Sequence, residues 1–342
     1  MARRRDLIAY AAGQAARTGW YLGHYVAAAR LAPRVPAPAP EQPQHLPGIG
    51  EILADLGDLL RRDWRDIAEG RYLAPFEGAP SLARTLSRSR AFFADLPAVN
   101  LRRRTRAHAE VRQDPRARRY PRYYQQNFHF QSDGYLSRRS AALYDFQVEV
   151  LFMGGADAMR RRALVPIGRR LGRAAAPRLL DVACGTGHFL GTVKANFPGL
   201  WTLGVDLSRP YLDEAATALA GHDRVALVEA NAERLPLADA AVDAATCIFL
   251  FHELPRAVRA HVAAELARVL RPGGLLVFID SIQRGDRPGY EALLDRFPRA
   301  FHEPYYGDYV GQDLNALFGA AGFRVERTEL AFFAKVLELT RV

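Results

Sequence analysis

The chain has 342 residues, 49% hydrophobic and 25% charged, with a net charge of +10. This length allows two ordinary domains or one large one, and the composition excludes a mostly disordered or fibrous chain. The charge is lopsided: residues 1–177 hold 30 arginines against 16 acidic side chains, and residues 178–342 hold 17 basic against 21 acidic ones. A basic half suits nucleic acid, an anionic membrane surface or an anionic substrate.

Residues 1–34 read as a helix that opens on Arg3, Arg4 and Arg5 and carries Leu7, Ile8, Tyr10, Trp20, Tyr21, Tyr25, Val26 and Leu31. Packing on its own protein or on a second subunit is the expected role. A peripheral membrane contact through residues 1–31 is the alternative. No apolar run reaches the roughly 18 residues of a membrane span. Residues 32–47 carry six prolines and read as an extended linker. Apolar spacing predicts helices over 48–70 and 81–96. The arginine run 102–123 reads as a solvated helix. A nucleic-acid surface would interleave aromatic rings, but Tyr120, Tyr123 and Tyr124 bunch at one end, so nucleic acid is not the expected partner.

Residues 123–162 mix rings and hydrogen-bonding groups without a clean period. Such a mixture suits a pocket wall, apolar bulk with a few placed polar groups, and Tyr124, Phe128, Tyr135 and Tyr144 are its candidate substrate contacts. A helix is expected over 140–162. From Arg178 onward, short apolar runs alternate with helical patterns. That predicts an α/β fold, a doubly wound and mostly parallel sheet behind a mainly helical N-terminal region. Strands are expected at 178–184, 201–206, 224–229, 243–250, 274–281, 323–330 and 333–341. Arg271-Pro-Gly-Gly274 reads as a helix stop and a tight turn. The two cysteines, Cys184 and Cys247, make no disulfide framework, so a reducing, cytoplasmic setting is expected.

The chemistry concentrates in Leu179-Leu-Asp-Val-Ala-Cys-Gly-Thr-Gly187, an apolar run entering a glycine turn at a helix start. Such a turn brings backbone N–H groups close to a ligand. About twenty residues on, Asp206 follows a second apolar run, where a carboxylate accepts from a ribose diol. No Gly-Lys-Ser/Thr follows, so this is no P-loop, and the third glycine of a dinucleotide fingerprint is missing. A nucleoside ligand without a pyrophosphate fits.

Asp181-Val-Ala-Cys-Gly-Thr-Gly187 resembles motif I of the class I S-adenosylmethionine (SAM) dependent methyltransferases. The resemblance runs from about Arg178 to Val342, through Gly204-Val-Asp-Leu-Ser208, Ala230-Asn-Ala-Glu-Arg-Leu-Pro236, Val242-Asp-Ala-Ala245, Phe251-His-Glu-Leu254 and Leu270-Arg-Pro-Gly-Gly274. It implies SAM as cofactor and a seven-stranded sheet whose last strand is antiparallel. By the same resemblance Asp181 holds the methionine part, while Ala183, Gly185 and Gly187 form the approach to ribose and methionine. Asp206 with Leu207 holds the ribose, Asn231 and Ala232 meet the adenine, and Phe249 lines the same crevice. Asn231 stands where an Asp is usual; its carbonyl still accepts a hydrogen bond, without the charge.

The resemblance also implies methyl transfer by direct displacement under an N-terminal helical cap. A base is needed only for a protonated acceptor; His252, Asp280 and His129 are the candidates, and Tyr305, Tyr306 and Tyr309 are expected to close over the acceptor with His252. No metal is expected. The run Cys247-Ile-Phe-Leu-Phe-His252 differs from the Asn/Asp-Pro-Pro-Tyr run of base-amine methyltransferases. A small, apolar, aromatic or lipid-like acceptor is therefore expected. The rivals are an RNA or protein methyltransferase docking through the arginine-rich half, and a non-catalytic scaffold. The expected organisation is a helix and linker over 1–47, a helical cap over 48–165 and a SAM domain over 166–342.

Overall fold

The computed structural model describes residues 4–33, 45–75, 82–172 and 176–342, so most of the expected proline-rich linker lies outside the described residues. Among the described residues six α-helices precede the sheet: α1 (Arg4–Leu31), α2 (Ile49–Ala68), α3 (Leu82–Thr105), α4 (Arg138–Leu151), α5 (Ala156–Arg161) and α6 (Leu164–Leu171). The strands are β1 (Arg178–Val182), β2 (Trp201–Asp206), β3 (Val225–Glu229), β4 (Val242–Ile248), β5 (Leu270–Ser281), β6 (Phe323–Ala331) and β7 (Ala334–Arg341). Between them come α7 (His188–Asn196), α8 (Arg209–Leu219), α9 (Arg256–Val269), α10 (Glu291–Phe301), α11 (Tyr306–Tyr309) and α12 (Leu314–Ala320). The strand order is β3-β2-β1-β4-β5-β7-β6, and β7 runs antiparallel to both neighbours. The expected doubly wound, seven-stranded sheet is thus present.

Alternation along each strand builds the two faces. Leu180, Val182, Ala245, Cys247, Leu276 and Phe278 pack in one apolar cluster. Their neighbours Leu179, Ala244, Leu275, Val277 and Ile279 pack in another, which also takes in Leu56 and Leu59 of α2, Met159 of α5 and Ile167 of α6. N-terminal helices therefore cover one face of the sheet. Two details differ from the sequence reading. Arg271–Gly274 does not end a turn before the strand. It lies inside β5 as an irregularity, where pairing steps from Val242↔Leu270 to Ala244↔Leu275 and Gly273 takes a φ of +72°. The helix expected over 140–162 divides at Met153 (φ +52°) and Gly154 (φ +86°). Gly155 follows, and a Cβ there would meet Leu56 Cδ1 at 2.8 Å, so the break lets α2 approach.

Polar contacts tie the helical region down. Asp63 of α2 is fully buried and accepts from Arg161 Nε at 2.8 Å and Nη2 at 2.7 Å, from the Tyr72 hydroxyl at 2.9 Å and from the Tyr10 hydroxyl at 2.5 Å. Arg17 of α1 meets Glu149 at 2.9 Å and Asp157 at 2.7 Å. Among the described residues α1 therefore packs on its own chain, while Leu7, Ile8, Val26 and Leu31 stay exposed. No helix among the described residues is long and apolar enough to cross a membrane. The run 102–123 ends its helix at Thr105 and continues in short 3-10 turns over Glu110–Gln113, Pro115–Arg119 and Arg122–Tyr124.

Candidate active site

The strand order reverses direction between β1 and β4, and a crevice opens there at the carboxyl ends of the strands, as the topology requires. The loop after β1 forms its floor. Ala183, Gly185 and Gly187 all take left-handed φ, at +59°, +56° and +72°. The two glycines serve different ends. A Cβ on Gly185 would meet nothing within 4 Å, so its backbone lies bare to the crevice. A Cβ on Gly187 would strike Ala215 Cβ and Leu219 Cδ1, each at 2.9 Å, so this glycine lets α7 start against α8. Gly187 accordingly caps α7 and does not line the crevice.

Asp206 ends β2. Its Oδ2 accepts the Gly185 N–H and its Oδ1 the Ser208 N–H, both at 2.8 Å. Each oxygen keeps a lone pair, enough for two ribose hydroxyls. Burial pushes its carboxyl up to about 6. Asp181, also buried, receives the Thr246 hydroxyl at 2.6 Å, and burial raises it to about 7. Asn231 Oδ1 accepts the Glu233 N–H at 2.9 Å, while the Tyr123 hydroxyl reaches across from the helical region to Glu233 Oε1 at 2.7 Å. Asp181, Ala183, Gly185, Asp206, Leu207, Asn231, Ala232 and Phe249 all line this one crevice. Open space at Gly185, free lone pairs on Asp206 and an amide at Asn231 fit a nucleoside with an amino-acid tail.

The opposite wall is aromatic and comes from the helical region. Tyr123, Tyr124, Tyr135 and Tyr144 line it, with Phe128 stacked behind Tyr135 at 5.7 Å. Asp145 of α4 takes the Thr186 hydroxyl at 2.9 Å, which pins this wall to the glycine loop. Of the turn after β4, the crevice exposes Glu253; His252 stands behind it. His252 Nδ1 donates to Asp280 Oδ1 at 2.6 Å, and Asp280 Oδ2 accepts the Phe251 N–H at 2.7 Å. Burial alone would lower the His252 imidazole, but Asp280 outweighs it and raises the group to about 9. Glu253 accepts the Tyr135 hydroxyl at 2.5 Å; burial, with Glu303 adding to it, raises its carboxyl to about 7.

His129 lies 2.7 Å from Glu303 and lines a neighbouring cavity instead of the crevice. His129, Glu253 and Glu303 offer ligand atoms within 4.8 Å of one another, a spacing a cation can bridge. Tyr305, Tyr306 and Tyr309, expected to close over the acceptor, do not line the crevice: Tyr306 and Tyr309 are buried with their hydroxyls on Ser281 Oγ at 2.7 Å and on the Ser281 carbonyl at 2.8 Å, and the Tyr305 hydroxyl accepts from Gln126 at 3.2 Å. Arg160 of α5 also lines the crevice, and sequence reasoning did not single out Glu253, Asp145 or Arg160 as site residues. For Glu253, its place beside His252 in the turn after β4 was the available signal.

The profile of the methyltransferase-domain family matches residues 179–274. With this fold, this crevice and the similarities below, the chain belongs to the class I SAM-dependent methyltransferases, whose cofactor is S-adenosylmethionine. The malonyl-[acyl-carrier protein] O-methyltransferase of Methylococcus capsulatus is 42% identical over 101 residues, covering 30% of this chain and 36% of that protein. The ubiquinone/menaquinone biosynthesis C-methyltransferase UbiE of Syntrophotalea carbinolica is 36% identical over 147 residues, 42% of this chain and 59% of that protein. O-methyltransferase rstn1 of Aspergillus nomiae is 34% identical over 163 residues, 46% of this chain and 69% of that protein. The first curated relatives are thus matched over 36% to 59% of their own length.

Proposed function

We propose that the protein transfers the methyl group of SAM to a small apolar or aromatic acceptor, lipid-like molecules included, with its N-terminal region closing the pocket. The observation that carries this reading is the tyrosine wall of residues 123–144 facing the glycine loop across one crevice. When bound, SAM supplies an electrophilic methyl group on a good leaving group. The chain's task is alignment and a dry site, which lower a barrier by several kcal/mol. Asp206 and Asn231 fix the nucleoside end and Asp181 the amino-acid end. Tyr124, Tyr135 and Tyr144 exclude water and present ring faces to the acceptor. Glu253, oriented by Tyr135, is placed to take a proton from an acceptor hydroxyl or acidic carbon. His252 and Asp280 sit behind it and fix its charge environment. This reading keeps the organisation as helix and linker over 1–47, cap over 48–165 and SAM domain over 166–342. The relatives named above include O- and C-methyltransferases, which supports both acceptor atoms.

Docking of RNA through the arginines is the rival reading, and their pairing speaks against it. Arg102 meets Glu110, Arg119 meets Glu229, Arg139 meets Asp95, and Arg162 meets Asp66 and Glu329. These four guanidiniums already hold carboxylate partners, and a phosphate would have to compete with them. The full chain should bind RNA no tighter than the non-specific range of about 10⁻⁴ to 10⁻⁶ M at physiological salt. Filter binding across a salt series measures this. Tighter binding with a steep salt slope would move the proposal to an RNA acceptor.

A further inference from the structure

A second cavity of about 300 Å³ lies beside the crevice, whose own volume is about 130 Å³. It is bounded by α1, α3, α4 and α10 and open on one side; Ala28, Leu96, Val99, Val148 and Phe301 are among its apolar walls, and Asp95, Arg103 and His129 also line it. Protein interiors pack to crystal density and leave few voids larger than a water. An apolar void of about 150 Å³ is already enough to hold a benzene-sized hydrocarbon. Twice that space, in a region otherwise bound by buried ion pairs, is room for a ligand.

Two further observations say which ligand. Gln131 lines the cavity and is 3% exposed, yet neither its side-chain oxygen nor its nitrogen has a hydrogen-bond partner among the described residues. Buried amides are normally paired, so this one is set to meet a polar atom from outside the chain. Tyr144 belongs to the walls of both cavities, so its ring stands between them.

Resting on the methyltransferase reading, we propose that the second cavity holds the hydrocarbon tail of the acceptor, a linear or isoprenoid chain. Gln131 bonds an oxygen where the tail joins the polar head, and the head reaches past Tyr144 toward the methyl group. The acceptor is then an amphiphile, selected by tail length as well as by its reacting group.

Calorimetry on the full chain tests this with para-alkoxyphenols, from the methoxy to the octyloxy compound, whose ether oxygen stands where the tail joins the ring, and with SAM titrated separately. Affinity should rise with every added methylene, up to about fourfold each. Ala28→Phe, which narrows the cavity, should weaken the octyloxy compound at least about tenfold while the methoxy compound changes less than about twofold. Gln131→Leu, which removes the unpaired amide, should weaken the whole series several-fold, and both variants should bind SAM as the wild type does. Equal affinity along the series would overturn the proposal, as would unchanged octyloxy binding in a folded Ala28→Phe together with Gln131→Leu. If the wild type binds the phenols by length but not SAM, the methyl-transfer reading fails and the cavity stands as a hydrocarbon site.

Discussion

Replacing Asp206 by Ala should lower SAM affinity by about two to four orders of magnitude and leave the protein folded. A hydrogen bond to a charged group contributes about 1.5–3 kcal/mol, and the ribose diol can make two of them with this carboxylate. The same oxygens hold the Gly185 and Ser208 N–H groups, so the floor of the crevice loosens as well. Stability should change little. Burial raises this carboxyl to about 6, so folding favours its protonated form. The native state therefore gains stability as pH falls through about 6 toward the ordinary carboxylate range, and at neutral pH the charge is a cost that Ala removes. SAM binding carries the opposite sign, because the diol needs the carboxylate. Affinity should fall as pH drops through about 6, and Asp206→Asn should flatten that part of the profile. Calorimetry across pH with a thermal melt measures both. Unchanged affinity in Asp206→Ala would contradict the ribose assignment.

Glu253→Gln should lower kcat by about 10²- to 10⁴-fold, the range for removing a positioned general base, with SAM affinity within about twofold of wild type. The exchange keeps the shape and still accepts from Tyr135, so the aromatic wall stays in place. What it removes is the ability to take the acceptor's proton. His252→Gln acts one step further back: it takes away the imidazole that Asp280 holds, leaving a buried carboxylate with backbone donors only. Its effect should be smaller in kcat and larger in the melting temperature. If Glu253→Gln turned over at the wild-type rate, alignment alone would account for the chemistry and the base assignment would fall.

Much of the sheet could be read in advance. Short apolar runs separated by glycine turns and helical periods mark β1 to β7 within a few residues, because alternating burial on two faces leaves a strong pattern. That Asp181, Gly185 and Asp206 would line one crevice was readable for a related reason. They stand at fixed distances along one strand-turn-helix-strand unit, from β1 through α7 to the end of β2, so chain spacing encodes their geometry. The acceptor side is assembled from distant segments, and spacing says nothing of it. Glu253 and Tyr135 meet across 118 positions, and Thr186 and Asp145 across 41. The helix break at Met153–Gly155 was hidden because its cause is tertiary, the approach of Leu56 to Gly155. The same holds for the arginines: the basic half keeps its net charge, but that Arg161 and Arg162 are held by the buried acids Asp63 and Asp66 is a tertiary fact that composition does not carry.

The measurement that tests the central claim most directly follows the methyl group itself. The full chain is incubated with methyl-tritiated SAM and a cell extract divided into lipid-soluble, RNA and protein fractions. The label should pass to the lipid-soluble fraction, and Asp206→Ala and Glu253→Gln should abolish that transfer. Label in RNA or protein, or no transfer from a chain that binds SAM, would contradict it.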